Sequence, residues 1–389
     1  MKELHSLSLF MPRDNFFYQS LLGSMRDAFH DFGIKVSGRC GLLDEQEMDA
    51  WIKEYRPDAI FEMNRVAGEI PWFPKSVKHI SWVVDFGGRD QSQIMGSDIT
   101  YFFCPGWNVN YNTEGFSDWL PPGTNTKQYA PAFIKPEHDF VFVGHIPAPW
   151  SDEELDYVLG HYNGKKYKFS DLLKEYISES KKIFSNKATH KDLKELCYAI
   201  MRKRTNLKNL PQKIEYDLLE RTKRMDSRCM LIDSALMFGS KNIQIYGSET
   251  WRLWKKYRPF YKRFISDSSK LNRCYCSAKF CLHDGVGIHF RSMDCMASGG
   301  LLLYSNVKNY EKREDVEMDA AYGLHTYFDE GVHFLQFSSI EELSEIYKHI
   351  PQDERMMNRI RVSAADTVRR NHTWHHRAQK IIDDCARYL

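Results

Sequence analysis

The sequence predicts an α/β protein in which two doubly wound parallel sheets face a cleft. Short apolar runs alternate with amphipathic helical segments along most of the 389 residues, which is the pattern of strand–helix units in parallel sheets. Residues 119–131 (WLPPGTNTKQYAP) interrupt this order with prolines, a glycine and no periodicity. The chain is also too long for one ordinary hydrophobic core. We therefore expect two α/β domains joined by a linker.

The composition is that of a folded, water-soluble protein. Hydrophobic residues make up 42% of the chain and charged residues 27%, with a net charge of +2, which excludes an intrinsically disordered protein. No apolar run approaches the roughly 18 residues of a membrane span, and the N-terminus lacks a signal-peptide core. Nine scattered cysteines indicate reduced thiols. We expect a cytoplasmic protein without a transmembrane segment, and peripheral attachment to a membrane stays open.

The first half predicts a sheet with polar residues at the ends of its strands. Strands are expected at residues 6–11, 34–36, 58–62, 79–84 and 99–104, and helices at about 16–32 and 44–55. Asn64 follows the third strand, and Asp85 follows the fourth, before a turn at 86–88 and Arg89. Ligands bind outside the carboxyl ends of parallel strands, so Asn64, Asp85 and Arg89 are candidate site residues. Alternatively, Asp85 only forms the turn before two glycines.

A basic segment separates the first strand of the second half from the rest. Residues 165–213 contain fourteen Lys or Arg and five Asp or Glu. Their pattern predicts helices that form an insertion at about residues 151–215. A solvated helical face is the ordinary interpretation of such a run, and a docking surface for an anionic acceptor is the functional alternative. The segment has no nucleic-acid-binding motif.

The second half predicts another set of strands that end in glycine. A strand at 139–143 ends at Gly144 and His145, and a strand at 243–246 ends with Tyr246 and Gly247. Residues 216–238 form a long predicted helix, and residues 352–388 are predicted to be largely helical. The predicted C-terminal helix carries His372, His375 and His376, for which packing across the other domain is favoured over metal binding.

The segment at residues 283–305 (HDGVGIHFRSMDCMASGGLLLYS) predicts a glycine loop, a helix and a buried strand. Gly285 and Gly287 allow a close approach of the backbone before the helix. On that helix, Arg291 and Asp294 share the face opposite its apolar side chains. An arginine near a helix N-terminus suits phosphate, and a carboxylate suits vicinal hydroxyls. The alternative is a surface ion pair between these two residues.

A metal site is not expected. Cys274, Cys276, Cys281 and His283 are close in sequence but lack the C-x-x-C spacing of zinc knuckles, so buried thiols in a strand-like segment are expected. Asp267 and Asp284 stand alone, and no Asp-x-Asp pair is present. A dinucleotide oxidoreductase is disfavoured because residues 11–14 (MPRD), and not G-x-G-x-x-G, follow the first strand.

Five segments together resemble the CgeB-like (spore maturation protein CgeB) family of glycosyltransferases. They are residues 81–85 (SWVVD), 120–131 (LPPG to YAP), 140–144 (FVFVG), 291–300 (RSMD to GG) and 372–377 (HTWHHR). The resemblance implies the GT-B fold, with two Rossmann-like domains. Its boundaries here would be 1–130 for the acceptor side and 131–370 for the nucleotide-sugar side, with a C-terminal helix at 371–389 that packs back on the first domain. In this sequence Asp294 replaces the family's usual Glu, and the basic insertion is longer than the family core needs.

The resemblance implies transfer of a sugar from a nucleotide-sugar to an acceptor hydroxyl, without a metal or other cofactor. The donor would contact Gly144, His145, Tyr246, Gly247, His289, Phe290, Arg291 and Asp294, with Arg291 near phosphate and Asp294 on the ribose. Asp85 would deprotonate the acceptor in an inverting enzyme or only position it in a retaining one, beside Asn64 and Arg89. The acceptor would be a glycan, a lipid-linked or another hydroxyl compound. Two alternatives stay open: a sugar transferase acting on modified DNA bases, and a non-catalytic nucleotide- or glycan-binding protein.

Overall fold

In the computed structural model, two six-stranded parallel sheets are each flanked by helices. The structure describes residues 4–85, 89, 93–105, 113–132, 134–183, 190–205, 210–238, 242–284, 287–306 and 323–389. The turn predicted at 86–88 and the predicted role of Gly285 therefore lie outside the described residues.

The first sheet is formed by residues 6–119. Its strands are β1 (Ser6–Met11), β2 (Lys35–Cys40), β3 (Ala59–Met63), β4 (Lys78–Val83), β5 (Ile99–Phe102) and β6 (Phe116–Trp119), in the order β2-β1-β3-β4-β5-β6. Helices α1 (Phe16–Asp31) and α2 (Glu45–Tyr55) connect the first three strands. Asp44 caps α2 in a reciprocal capping box with Glu47. Strand β6 was not predicted, because its alternating half-buried residues carry no apolar run.

An insertion follows the first strand of the second sheet, β7 (His138–Val143). It contains α3 (Asp152–Leu155), β8 (Val158–Tyr162), β9 (Lys165–Lys168), α4 (Phe169–Ile183), α5 (His190–Arg204) and α6 (Gln212–Tyr216). The prediction of a helical insertion is therefore wrong for residues 158–168, where β8 and β9 pair as an antiparallel hairpin. Asn163 and Gly164 form its turn with φ of 50° and 75°, the conformation that an Asn-Gly turn favours. The insertion also has its own apolar core.

The second sheet is completed by residues from 243 onward. After α7 (Thr222–Met237), it contains β10 (Ile243–Tyr246), β11 (Tyr261–Arg263), β12 (Ala278–His283), β13 (Leu302–Ser305) and β14 (Leu335–Phe337), in the order β11-β10-β7-β12-β13-β14. Its remaining helices are α8 (Ser268–Cys276), α9 (Phe290–Ala297), α10 (Ile340–His349) and α11 (Glu354–Asn371). Cys274 and Cys276 lie on α8, so the strand-like segment predicted for them is wrong. Asp267 immediately precedes α8 and caps its first turn.

The C-terminal segment, which was predicted to be largely helical, contains two helices. Helix α11 ends before His372 and Thr373, and α12 (Trp374–Tyr388) begins there in a new direction. At this break the tail runs beside the segment that joins the two sheets, since Thr124 forms a parallel bridge with Thr373. The amide of Thr124 donates to the carbonyl of His372 over 3.0 Å.

Helix α12 packs against the first sheet. Trp374, Ile381 and Cys385 belong to the same buried apolar cluster as β1, β3 and β4. The buried hydroxyl of Tyr101, on β5, donates to the carboxylate of Asp384 over 2.8 Å. The C-terminal helix is thus anchored by both apolar packing and a buried hydrogen bond.

We predict that Tyr101→Phe lowers the free energy of unfolding by about 1–3 kcal/mol, because the buried carboxylate of Asp384 loses a donor. Chemical denaturation measures the change. Tyr157→Phe is the matched control, because the side chain of Tyr157 is 51% exposed and its substitution should change stability by less than about 0.5 kcal/mol. Equal stability of the wild type and Tyr101→Phe would contradict the anchoring role of this bond.

Candidate active site

A cleft of about 410 Å³ lies at the carboxyl edge of the second sheet, facing the start of α1 in the first. It is centred where the strand order reverses between β7 and its neighbours β10 and β12, the place where open parallel sheets bind ligands. The eight residues that the sequence suggested for the donor all line this cleft: Gly144, His145, Tyr246, Gly247, His289, Phe290, Arg291 and Asp294.

Two glycines at the ends of β7 and β10 form the floor of the cleft. The amide of Gly144 donates to the carbonyl of Tyr246 over 2.8 Å. Gly247 has a φ of 140°, and a Cβ there would overlap the carbonyl of Gly144. A Cβ on Gly144 would come within 2.5 Å of Nη1 of Arg291. The two strand ends therefore approach at a distance that only glycine permits.

Two arginines share one buried carboxylate beside this floor. Asp284 follows β12 and is 6% exposed. Its carboxylate accepts a hydrogen bond from Nε of Arg228 at 2.9 Å and another from Nη2 of Arg291 at 3.0 Å. Burial raises the pKa of Asp284, but the two arginines outweigh burial and hold that pKa well below its usual range. The cluster of Arg228, Arg291 and Asp284 therefore carries a net positive charge at the wall of the cleft.

Both arginines keep hydrogen-bond donors for a ligand. A guanidinium has five N–H donors. Arg228 donates hydrogen bonds to the carboxylate of Asp284 and to the carbonyl of His145. Arg291 donates hydrogen bonds to the same carboxylate, to Nδ1 of His289 and to the carbonyl of Val143. These contacts fix the two planar side chains in place. An anion that enters the cleft thus meets positive charge that is already oriented.

Two neutral histidines flank the arginines. Nδ1 of His145 lies 2.8 Å from Oγ of Ser248. Burial, followed by the positive charges of Arg228, Arg224 and Arg291, lowers the pKa of His145 to about 4. Nδ1 of His289 accepts the amide of Arg291 over 3.3 Å and so caps the first turn of α9. Both rings are neutral at physiological pH and can exchange hydrogen bonds with a ligand without adding charge.

Asp294 lies on α9, about one turn beyond Arg291, and does not pair with it. Its Oδ1 accepts the hydroxyl of Thr124 over 2.6 Å, and Thr124 is the residue at which the interdomain segment meets the C-terminal tail. Burial raises the pKa of Asp294 to about 7, while the hydrogen bond from Thr124 opposes that rise. The ion pair of Arg291 with Asp294, weighed from the sequence, is absent; Arg291 pairs with Asp284 instead.

Phe290 connects the two sheets. It is 8% exposed and belongs to the apolar cluster of the first sheet, although it begins a helix of the second. Its ring centroid lies 5.1 Å from that of Phe17, 5.8 Å from that of Trp82 and 5.5 Å from that of Phe103. Most of the Phe290 ring is therefore used for packing between the sheets, and only part of it faces the cleft.

The three candidates from the first sheet lie together, but outside the residues that line the cleft. The side-chain oxygen of Asn64 accepts the amides of Val84 and Asp85 at 2.7 and 2.8 Å. Arg89 donates to the carbonyls of Asn64 and Asp85 and pairs with Glu69 at 3.0 Å. Asn64 and Arg89 thus hold the end of β4 in shape. Asp85 is exposed and lies near Tyr18 of α1. Burial raises the pKa of Tyr18, Arg13 opposes that rise, and the charge of Asp85 adds to it.

Comparison with protein families identifies the second half of the chain. Residues 221–383 match the family model described as glycosyl transferase-like. This likeness covers a little over two fifths of the chain. The matched region contains Arg228, Tyr246, Arg291 and Asp294, and about half of the residues that line the cleft. No curated protein sequence matches the chain.

Solved structures show that the chain has a GT-B-like fold. A glycosyltransferase from Rickettsia africae ESF-5 is similar over 98% of this chain and 98% of its own, with 10% identity and a TM-score of 0.52. The catalytic domain of starch synthase IV from Arabidopsis thaliana is similar over 100% of this chain and 99% of its own, with 9% identity and a TM-score of 0.53. Both matches span the two sheets, which confirms the predicted fold class.

Arg228 and the role of Asp284 were missed from the sequence. Asp284 belongs to no Asp-x-Asp pair, and its carboxylate instead balances two arginines. The missed signal lies in α7, where Arg228 shares a face with Leu231, Ile232 and Ala235, all fully buried. An arginine on an apolar face needs a buried partner, so an arginine at this position indicates a buried acidic residue beside it.

Neither a cluster of metal ligands nor a membrane-spanning helix occurs in the part of the chain that the structure describes. In that part of the chain, no three His, Cys, Asp or Glu side chains come together as metal ligands would. The three C-terminal histidines have separate partners: Arg377 for His372, Asp31 for His375 and Thr373 for His376. Over the same residues, no helix has the length and hydropathy to cross a membrane.

We predict that Gly144→Ala destabilises the protein by about 1–3 kcal/mol, the usual cost of overpacking, because the new Cβ meets Arg291 and the ring of Phe142. Chemical denaturation measures the loss. Gly23→Ala is the matched control: it lies in α1 with no atom within 4 Å of the added Cβ, so helix propensity should make it neutral or stabilising. If both variants behave alike, the close packing at Gly144 does not matter.

We predict that the free energy of unfolding of Asp294→Asn increases relative to that of the wild type as pH rises from about 4 to about 7. In this window the folded protein holds a proton on Asp294 that the unfolded chain releases, because folding raises the pKa from 3.8 to about 7. The contribution of Asp294 to the free energy of unfolding of the wild type should therefore fall by at most about 4 kcal/mol as pH rises. Asn at this position does not titrate, so the variant lacks this change. Unfolding midpoints of both proteins across this range measure the effect, and a constant difference would refute it.

Proposed function

We propose that the protein is a metal-independent glycosyltransferase that binds a nucleotide-sugar in the cleft and transfers the sugar to an acceptor hydroxyl. One observation carries the proposal: Arg228 and Arg291 are held by buried Asp284 beside a backbone floor, at the switch point of the second sheet. This arrangement suits a diphosphate, because it offers oriented N–H donors and a net positive charge.

The donor would lie along the wall of the second sheet. The diphosphate would bind Arg228, Arg291 and the backbone at Gly144 and Gly247. The ribose hydroxyls would bind Asp294, whose Oδ2 has no hydrogen bond to a described residue. The buried hydroxyl of Tyr275 also lines the cleft and lacks a partner among the described residues. A ligand rich in hydroxyls would satisfy it, and burying an unpaired hydroxyl otherwise costs about 1–3 kcal/mol.

The same groups would stabilise the leaving nucleotide. Breaking the bond between sugar and diphosphate places negative charge on the phosphate oxygens. Fixed cations and dipoles stabilise such charge without reorganising during the reaction. We propose that Arg228 and Arg291 supply this stabilisation, so that the enzyme needs no metal ion or other cofactor.

Two likenesses support a nucleotide-sugar donor. The starch synthase IV domain that shares the fold was solved bound to ADP and acarbose, a nucleoside diphosphate and an oligosaccharide. Five segments of this chain also resemble the CgeB-like glycosyltransferases, and we propose that subfamily. The Asp at 294, in place of Glu, reaches one methylene less far, which matches its close bond to Thr124.

We propose Asp85 as the group that deprotonates or positions the acceptor. It ends β4 on the side of the first sheet that adjoins α1, and Phe16 and Phe17 of α1 line the cleft. Its backbone is held by Asn64 and Arg89, which would fix the direction of the carboxylate. These two residues thus act as positioning residues and not as acceptor ligands.

The donor site is tested with the full chain and a panel of nucleoside diphosphates, their sugar derivatives and the free nucleosides. Arg228→Gln should weaken diphosphate binding about ten- to hundredfold, the value of a charge-assisted hydrogen bond, and leave nucleoside binding unchanged. Titration calorimetry measures both. The control is Arg39→Gln, which removes an exposed arginine paired with Glu47 far along the first sheet. If no compound in the panel binds, the proposal is wrong.

Turnover is tested with the nucleotide-sugar that binds best, by measuring its slow hydrolysis or its transfer. Asp85→Asn should lower turnover at least about tenfold and leave donor affinity within twofold of wild type. Binding without turnover in the wild type would indicate a nucleotide- or glycan-binding protein instead. Transfer to DNA but not to glycan or lipid-linked hydroxyls would indicate a DNA-modifying sugar transferase.

A further inference from the structure

The surface beside the cleft carries an unusual concentration of positive charge. Residues 252–264 (RLWKKYRPFYKRF) contain six Lys or Arg, and no acidic residue occurs between 250 and 266. We name this segment the basic rim. Two of its cations are neutralised, Arg252 by Glu249 and Lys256 by Asp233, both at 2.7 Å. The other four are exposed and form no ion pair with a described residue: Lys255, Arg258, Lys262 and Arg263.

Aromatic anchors hold the basic rim in a defined shape. Nε1 of Trp251 donates to the carbonyl of Gly144 over 2.8 Å, and Nε1 of Trp254 donates to that of Pro147 over 3.0 Å. The hydroxyl of Tyr261 donates to the carbonyl of Gly247 over 3.1 Å. Because these rings point inward, the charged residues between them point outward. The rim is therefore a preformed surface attached directly to the floor of the cleft.

Two large apolar side chains stand out of this charged surface. Leu253 is 59% exposed and Phe264 is 52% exposed. Phe264 also lines the cleft, as do Phe16 and Phe17 of α1, which are 44% and 39% exposed. We call these three exposed rings the apolar lips of the cleft, and one of them, Phe264, belongs to the basic rim.

Protection of a sheet edge explains only part of the basic rim. Strand β11 lies at the edge of the second sheet, and charged residues on edge strands prevent pairing with other chains. That role accounts for Lys262 and Arg263. It does not account for Lys255 and Arg258, which lie outside the strand, or for the exposed Leu253 and Phe264.

We propose that the basic rim binds the surface of a membrane that contains anionic lipids. Cations attract the lipid headgroups, and exposed apolar side chains enter the boundary between headgroups and acyl chains. Nucleic acid would also attract the cations, but its phosphates offer nothing to the aliphatic side chain of Leu253. Docked in this way, the mouth of the cleft faces the bilayer. If the proposed sugar transfer is correct, a lipid-linked acceptor hydroxyl can enter between the apolar lips.

Membrane binding is tested with the full chain and sedimented vesicles, without any nucleotide. The wild type should bind vesicles that contain phosphatidylserine and not vesicles of phosphatidylcholine alone, and salt should weaken binding. Replacing Lys255, Arg258, Lys262 and Arg263 together by Gln should reduce the partition coefficient by roughly several hundredfold, at about fivefold per cation. Leu253→Ser should reduce it about three- to tenfold at constant charge.

The matched control removes the same charge from the insertion. Lys165, Lys166, Arg202 and Lys203 are also exposed, and their replacement by Gln should leave vesicle binding within about threefold, since this charge lies outside the basic rim. The proposal is overturned if the two quadruple variants bind equally, or if the wild type ignores anionic vesicles. Binding of a DNA or RNA duplex that depends on the rim, without vesicle binding, would assign the surface to nucleic acid. None of these outcomes depends on donor binding, so they are separable from a failure of the proposed function.

Discussion

The cleft depends on one aromatic contact between the two sheets. Phe290 starts a helix of the second sheet, yet its ring is packed among Phe17, Trp82 and Phe103 of the first. The next residue is Arg291, which is bound to Asp284. The packing that joins the sheets and the charge that faces the ligand are therefore adjacent on one short helix. Any shift of one sheet against the other must move Arg291 or break the cluster around Phe290.

Electrostatics in the cleft follow from burying more positive than negative charge. Burying a single arginine would be costly, and burying two is feasible here because both bind one carboxylate. Asp284 compensates one of the two charges, and the remaining charge needs an anion or water from the cleft. At the other end Asp294 has a pKa near neutrality. The cleft thus holds both the positive charge of the two arginines in its wall and a carboxyl group beside Thr124.

The fold could be predicted from sequence further than the site could. Buried strands such as β1 and β3 are apolar runs, and capping residues such as Asp44 mark where helices begin. The hairpin at Asn163 and Gly164 had a clear local signal that was overlooked in a basic segment. The pairing of Arg228 with Asp284 could not be predicted, because it joins residues 56 positions apart and depends on how α7 packs against β12. The bond from Thr124 to Asp294, across 170 positions, is of the same kind.

The floor formed by Gly144 and Gly247 has a consequence for how such a protein can diversify. Because the floor is backbone, and side chains are excluded from it by direct contact, point substitutions cannot reshape it. Variation that leaves the fold intact is confined to the walls, at positions such as Tyr246, Phe264 and Leu271, and to the facing turn of α1. Relatives that accept different ligands should therefore differ in the walls while keeping an identical floor, and a library for altered specificity belongs at those wall positions.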